Sequence, residues 1–400
     1  MNLIRCLHIS NAREAIHEMG KLGVDPTGIK LMKGKTLHYN LKVEGIAPRT
    51  ANLLKQEMLS VGGDAALDRR GLDCSSSSTN TLLMGTEKQF EKLASKLERY
   101  GDLRSIGESL KETLRNLSKA HYTIRCRRGT FTLGKRTLLM GVLNVTPDSF
   151  SDGGLFFDRD RAIAQGLKMA EEGADFIDIG GESTRPGSKP LDLEEEIRRV
   201  IPVIEALVKR VDAPISIDTY KSAVAKRAVD AGAQIINDIS GLHLDPSLSQ
   251  VAAEEDVPLV LMHIRGTPET MQQNIHYESL FSEIIQYLKD SIGRAESAGV
   301  HPDQIIIDPG IGFGKTVEDN LLILKNLKEF KILGKPLLLG TSRKSFIGKI
   351  LNADVTERLE GTLSSIVVGV LNGAHIIRCH DVIQAKRAID IADAVRQSGY

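Results

Sequence analysis

Four hundred residues are more than one compact core usually holds, which predicts two domains. Lys plus Arg and Asp plus Glu balance at 52 each, and this excludes the strongly basic footprint of a nucleic-acid binder. The imbalance is local and mild: residues 1–120 carry 19 basic against 14 acidic side chains, the remainder 33 against 38.

Residues 1–120 read as a small α+β domain. Apolar spacing predicts helices near 11–21, 48–60, 87–99 and 106–119, with strands at KTLHYNLKV and TNTLLMGT. The tract GLDCSSSSTN between them reads as a flexible surface loop. No catalytic constellation stands out there. The N-terminal stretch MNLIRCLHISNAREA lacks the apolar core of a signal peptide, and no run of about 18 apolar residues occurs. The four cysteines, Cys6, Cys74, Cys126 and Cys379, have no CxxC spacing, so neither a disulfide framework nor a zinc site is expected. A soluble cytoplasmic protein with no membrane or nucleic-acid partner is the expectation.

The second domain is expected over 121–400. It opens with HYTIRCRRGTFTLGKR (121–136), which alternates and turns at Arg-Gly, as a β-hairpin plugging the lower mouth of a barrel would. From about residue 136 short apolar runs alternate with amphipathic stretches. The strands are expected at 137–145, 176–182, 214–219, 235–240, 258–264, 305–310, 336–342 and 376–381. Several intervening helices end in Gly, as in EEGAD, DAGAQ, SAGVH and LNGAH, suited to a C-cap before the next strand. Eight strand–helix repeats over about 265 residues predict a (β/α)₈ barrel. An open doubly wound sheet would have fewer strands and a dinucleotide fingerprint after the first.

In such a barrel, chemistry gathers at the C-terminal strand ends. Here every strand ends in polar residues: Asn144; Asp178, Glu182, Thr184 and Arg185; Asp218; Asn237 and Asp238; His263 and Arg265 after Met262; Asp308; Ser342 and Lys344; Arg378, His380 and Asp381. Each alone could be an ordinary helix cap. All eight together, in both charge signs, predict a binding site. Asp218, Asn237, Asp308 and Lys344 offer acceptors and donors suited to the edge of a flat heterocycle. Arg378 and His380, beside Asn144 across the closure of strands eight and one, suggest an anion pocket. Asn144 could also give a carboxamide oxygen to Mg²⁺ shared with a diphosphate. GIGFGK has neither P-loop spacing nor its context, and a chain without Trp gives little support to glycoside hydrolysis. The loop NVTPDSFSDGG (144–154) is far longer than a chain reversal needs.

NVTPDSFSDGG, DIGGESTRPGS, ISIDTY, IINDISG, LMHIRGTPETMQ, IIIDPGIGFGK, GTSRKSFIG and IIRCHD, in this order over about 136–400, resemble the successive signatures of dihydropteroate synthases. Residues 1–120 lie outside the resemblance. It implies condensation of 6-hydroxymethyl-7,8-dihydropterin diphosphate with 4-aminobenzoate, with Mg²⁺ assistance. By position, Asp218, Asn237, Asp308 and Lys344 would hold the pterin, with Met262 and Phe313 lining its pocket. Asn144, Arg378 and His380 would serve diphosphate and metal. Thr184, Arg185 and Pro186 would belong to a second mobile loop, and Ser342 would meet the aminobenzoate carboxylate near a helix N-terminus. The resemblance implies catalytic roles for Asp218, Asp308, Lys344, Arg378 and His380, lid roles for loops 144–154 and 183–190, and a homodimer. Two rivals remain: a methyltetrahydrofolate–corrinoid methyltransferase, which needs no diphosphate pocket, and a non-catalytic pterin-binding paralogue.

Overall fold

The computed structural model describes residues 3–9, 11–69, 77–146, 155–183, 187–188 and 190–398, with the side chains of 155–158 left aside. Residues 147–154, most of the loop 144–154, together with Thr184, Arg185 and Pro186, therefore lie outside the described residues, and so does most of the Ser-rich tract. The chain divides into two compact units, one running to Lys119 and the other comprising Ala120–Gln397.

The first unit is a three-stranded antiparallel sheet with helices. Strands β1 (His38–Ile46), β2 (Asp64–Leu67) and β3 (Thr79–Thr86) lie in the order β1-β3-β2. Helices Pro48–Ser60, Glu87–Leu97 and Arg104–Ser118 bury Leu54, Met58, Phe90, Leu93 and Leu110 in one core with Leu83 of β3. Thr86 ends the strand and starts the next helix through a reciprocal cap with Gln89. Two elements escape the periodicity argument. Helix Pro26–Thr36 buries no residue, so it has no apolar stripe to read; β2 is a four-residue edge strand with two alanines.

The second unit begins with the hairpin β4 (Tyr122–Cys126) and β5 (Gly129–Leu133). Eight parallel strands follow: β6 (Leu138–Asn144), β7 (Phe176–Gly180), β8 (Ile215–Asp218), β9 (Ile235–Asp238), β10 (Leu259–Met262), β11 (Ile305–Asp308), β12 (Leu338–Leu339) and β13 (Ile376–Cys379). Their order β11-β10-β9-β8-β7-β6-β13-β12 closes through a parallel bridge between Ile307 and Leu337, which completes the (β/α)₈ barrel. The glycines anticipated as helix ends, Gly173, Gly232, Gly299 and Gly373, all take positive φ between 94° and 110°, where a Cβ would be strained.

The barrel has two unlike ends. At the N-terminal end Leu138, Met140, Phe176, Ile235, Val260, Ile306, Leu338 and Ile376 point inward and pack on Tyr122, Ile124 and Leu133 of the hairpin. The plug is thus apolar, and its backbone is tied down by two buried carboxamides. Gln304 accepts from the Arg125 amide at 2.9 Å and donates to the Arg125 carbonyl at 2.8 Å, while Gln234 accepts from the Arg128 amide at 2.8 Å. Because this end is sealed, a polar ligand has only the opposite face to use. Gln304→Ala should leave two buried backbone groups unpaired and lower stability by about 2–3 kcal/mol in urea unfolding.

Candidate functional site

Parallel strands bring all their C-terminal residues to one end, and there a single guanidinium organises three strands. Arg378 at the end of β13 donates from Nε to Asp178 Oδ2 of β7 at 2.6 Å and from a terminal nitrogen to Asp218 Oδ2 of β8 at 2.6 Å. The same Asp178 oxygen accepts from Asn237 Nδ2 of β9 at 3.0 Å. Asp178 is wholly buried, Asp218 nearly so, and about a fifth of the Arg378 side chain remains exposed at 21%. Arg378 therefore faces carboxylates, whereas the sequence motif suggested a role toward an anion.

On the far side of this cluster, Asp308 of β11 is buried, with Oδ1 accepting the Gly310 amide at 2.7 Å. Lys344 donates to the Ile311 carbonyl and lies 4.7 Å from the ring centre of Phe313. Phe313 and Tyr220 pack on an apolar ledge of Ile239, Met262, Ile264 and Met271. The ledge and the polar groups above it suit a flat ring with a hydrogen-bonding edge. GIGFGK is the loop that makes this possible. Gly310, Gly312 and Gly314 all have positive φ, and a Cβ on Gly310 would lie 1.9 Å from the His263 carbonyl oxygen. Its lysine, Lys315, is buried, with Nζ 2.8 Å from His263 Nδ1 and 3.0 Å from the Phe313 carbonyl.

Across the β13–β6 seam, Asn144 Nδ2 stands 3.4 Å from His380 Nε2, and His380 Nδ1 is 2.9 Å from Ser342 Oγ. With the carboxamide nitrogen facing Nε2, the tautomer that satisfies both contacts carries its proton on Nδ1. The Asn144 carboxamide oxygen then points away from the imidazole, available to a hard cation. Among the described residues no group of three or more His, Cys, Asp or Glu could hold a metal.

Other strand-end residues are absorbed by structure. Asp238 accepts from the Ser240 amide and hydroxyl and from the Leu242 amide, closing its own loop. Glu182 joins Lys221, Tyr220 and the Leu191 amide. Asp381 pairs with Arg343, and Arg265 with Glu283.

Burial dominates the electrostatics. It lifts the Asp218 carboxyl to about 7 although Arg378 opposes it, with Asp178 pushing the same way as burial. It also raises Asp308, against Lys344. Lys344 falls to about 8, because burial and Arg378 outweigh Asp308. Burial, then the Arg378 and Arg343 cations, bring His380 down to about 4, so its ring is neutral at pH 7. Burial likewise holds Lys315 and His263 well below their ordinary values. Arg378 itself is held above its usual value because the two aspartates outweigh its burial.

Two contributors were not singled out from the sequence. Asp178 was visible as a strand-end carboxylate, but nothing in the order of residues showed that it would bind both Arg378 and Asn237. Lys315 closes IIIDPGIGFGK, which carries the resemblance but gives that lysine no role.

Residues 140–380 match the profile of the family described as pterin binding enzyme. A dihydropteroate synthase of Clostridium beijerinckii is 50% identical over 266 residues, 66% of this chain and 96% of that protein. A probable bifunctional folylpolyglutamate synthase/dihydropteroate synthase of Halobacterium salinarum is 39% identical over 391 residues, 97% of this chain and 46% of that protein, so its likeness extends through most of the first unit. Among solved structures, the Xanthomonas albilineans dihydropteroate synthase with 4-aminobenzoic acid superposes with a TM-score of 0.65 at 42% identity, covering 69% of this chain and 99% of that one.

The ion-pair geometry makes a prediction about stability. Asp218 titrates near 7 folded against about 3.9 unfolded, so the folded state holds the extra proton in between, and stability from this group falls as pH rises through that window. Arg378→Ala removes the cation and pushes Asp218 higher still. Urea unfolding should show a loss of about 3–5 kcal/mol near pH 8 that shrinks near pH 6, where Asp218 can take a proton.

Proposed function

This chain belongs to the pterin-binding enzyme family as one of its dihydropteroate synthases, and on that premise we propose how its strand-end cluster works. The chain is a transferase of folate biosynthesis. It joins 6-hydroxymethyl-7,8-dihydropterin diphosphate to 4-aminobenzoate, giving 7,8-dihydropteroate and diphosphate. One observation supports the assignment of residues: Asp218, Asn237 and Asp308 lie at the C-terminal ends of β8, β9 and β11, and Lys344 lies 4.7 Å from the ring centre of Phe313, which packs with Met262.

The ring lies on the ledge. Carboxylates of Asp218 and Asp308 accept from its N–H groups, while Asn237 and Lys344 supply the complementary donors. The amine nitrogen of 4-aminobenzoate attacks the methylene carbon, the carbon–oxygen bond to diphosphate breaks, and the amine proton passes to solvent. An arylamine is a weak nucleophile, so stabilising the leaving group matters most. Neutral His380, held between Asn144 and Ser342, can donate a hydrogen bond to the diphosphate once those contacts rearrange. Asn144 would hold Mg²⁺ through its carboxamide oxygen, and that ion would supply charge neutralisation for the diphosphate. Ser342 completes the reading beside the aminobenzoate carboxylate, and Thr184, Arg185 and Pro186 keep the substrate-binding role that the resemblance gives them.

A homodimer is part of the same reading. Leu321, Ile350, Leu351, Val368 and Leu371, on the helices Val317–Lys325, Ser345–Leu351 and Leu359–Leu371, are each at least 40% exposed and line one apolar face. Val368→Asp should convert the dimer to monomer in sedimentation without unfolding the barrel. A cytoplasmic location belongs to the same reading. Cys6, Cys126 and Cys379 are free thiols. Among the described residues no helix is long and apolar enough to cross a membrane.

The test is turnover of purified protein with both substrates and Mg²⁺. Dihydropteroate and diphosphate should appear in equal amounts; pterin binding without either product would favour a non-catalytic paralogue. Lys344→Ala should raise the KM for pterin diphosphate about 10- to 100-fold, the worth of one charged hydrogen bond. The pH profile of kcat/KM should be bell-shaped. Its acid limb, near 7, reflects Asp218 ionising, and its alkaline limb, near 8, reflects Lys344 losing its proton. Lys344→Arg should move the alkaline limb out of range, and an unmoved limb would refute the assignment.

A further inference from the structure

We propose that Asp178 is a positioning residue for the pterin site: it anchors Arg378 and Asn237 so that substrate can take Asp218 from the guanidinium without releasing it from the site. This rests on the reading of Asp218 and Asn237 as pterin-holding groups.

The geometry is specific. One oxygen of a wholly buried carboxylate holds two residues from different strands, Arg378 at 2.6 Å and Asn237 at 3.0 Å. Its other oxygen has no hydrogen-bond partner among the described residues. Asp178 therefore directs both of its bonds through a single atom toward groups that face the pocket. Asp218 is differently placed. Its oxygen is occupied by the second arm of Arg378, yet it is the group that must accept from the ring. Two carboxylates share one cation, so either can yield its share more cheaply than an isolated pair could. Ring N–H groups replace that second arm on Asp218. The Nε contact to Asp178 stays as a pivot, and the freed arm turns toward the departing diphosphate.

Asp218 also feels Glu196 and Asp238, which raise its pKa, while Lys344 faces it from the other side. The negative charge of Asp178 works with them to oppose its ionisation. Asp178→Asn keeps the shape and an accepting oxygen but removes that charge. The kcat/KM for pterin diphosphate should fall about tenfold near pH 8, because Arg378 now leans wholly on Asp218. The acid limb of the profile should move down by at least about half a pH unit, because a neighbouring negative charge is gone. Thermal unfolding would confirm that the variant is folded. A fall in kcat/KM with an unmoved limb would reduce Asp178 to a structural part and overturn the proposal; unchanged kcat/KM with an unmoved limb would overturn it as well. Asp218→Asn serves as the control and should abolish the acid limb. Survival of the limb there would overturn the reading of Asp218 itself, and with it this role for Asp178, a result distinct from failure in Asp178→Asn alone.

Discussion

One partly buried cation between a wholly buried and a nearly buried carboxyl group sets the terms for the catalytic end of the barrel. Removing charges from water is expensive, and the Asp178–Arg378–Asp218 arrangement offsets that cost only because each group is held by a strand end at 2.6 Å. The strands involved, β7, β8 and β13, are not all neighbours, since β6 lies between β7 and β13. The guanidinium therefore reaches across the mouth and fixes its width. The cluster sets one guanidinium against two carboxyl groups, and the surplus carboxyl is held where a ligand with N–H donors can use it.

That excess is tolerable because the two ends of the barrel divide the labour. The hairpin seals the N-terminal end with Tyr122, Ile124 and Leu133 against inward-facing apolar strand residues. Stability is concentrated there and in the helix–strand layer outside. The opposite end can then keep buried carboxylates, a lysine lowered to about 8 and a neutral histidine, each costly where it stands. The displaced pKa values follow from a polar cluster set on an apolar ledge.

Much of this was legible in the sequence, and the exceptions have physical causes. The barrel was readable because buried parallel strands are continuous apolar runs and because positive-φ glycines end the helices between them. The polar strand ends were readable for the same reason: each interrupts an apolar run. Their partners were not. Arg378 lies two residues before His380 and reads as its companion, but the guanidinium turns to Asp178 and Asp218, 200 and 160 residues away. Contacts of that separation depend on barrel closure, which no local pattern encodes. In the first unit, helix Pro26–Thr36 escaped because it buries nothing, and periodicity reports only burial.

GIGFGK shows how a motif can be rejected for one chemistry and still be indispensable to another. Its spacing excluded a phosphate loop, and the geometry gives the glycines a different task. With Gly310, Gly312 and Gly314 in left-handed conformations, the chain folds back on the His263 and Arg265 backbone, where no side chain would fit. That fold carries Phe313 onto the ledge and buries Lys315 against His263. Burial pushes both groups well below their ordinary values, and the Lys315 cation adds to the effect on His263. Lys315 thereby ties the Phe313 carbonyl to the His263 ring, while the glycines fix its neighbours in place.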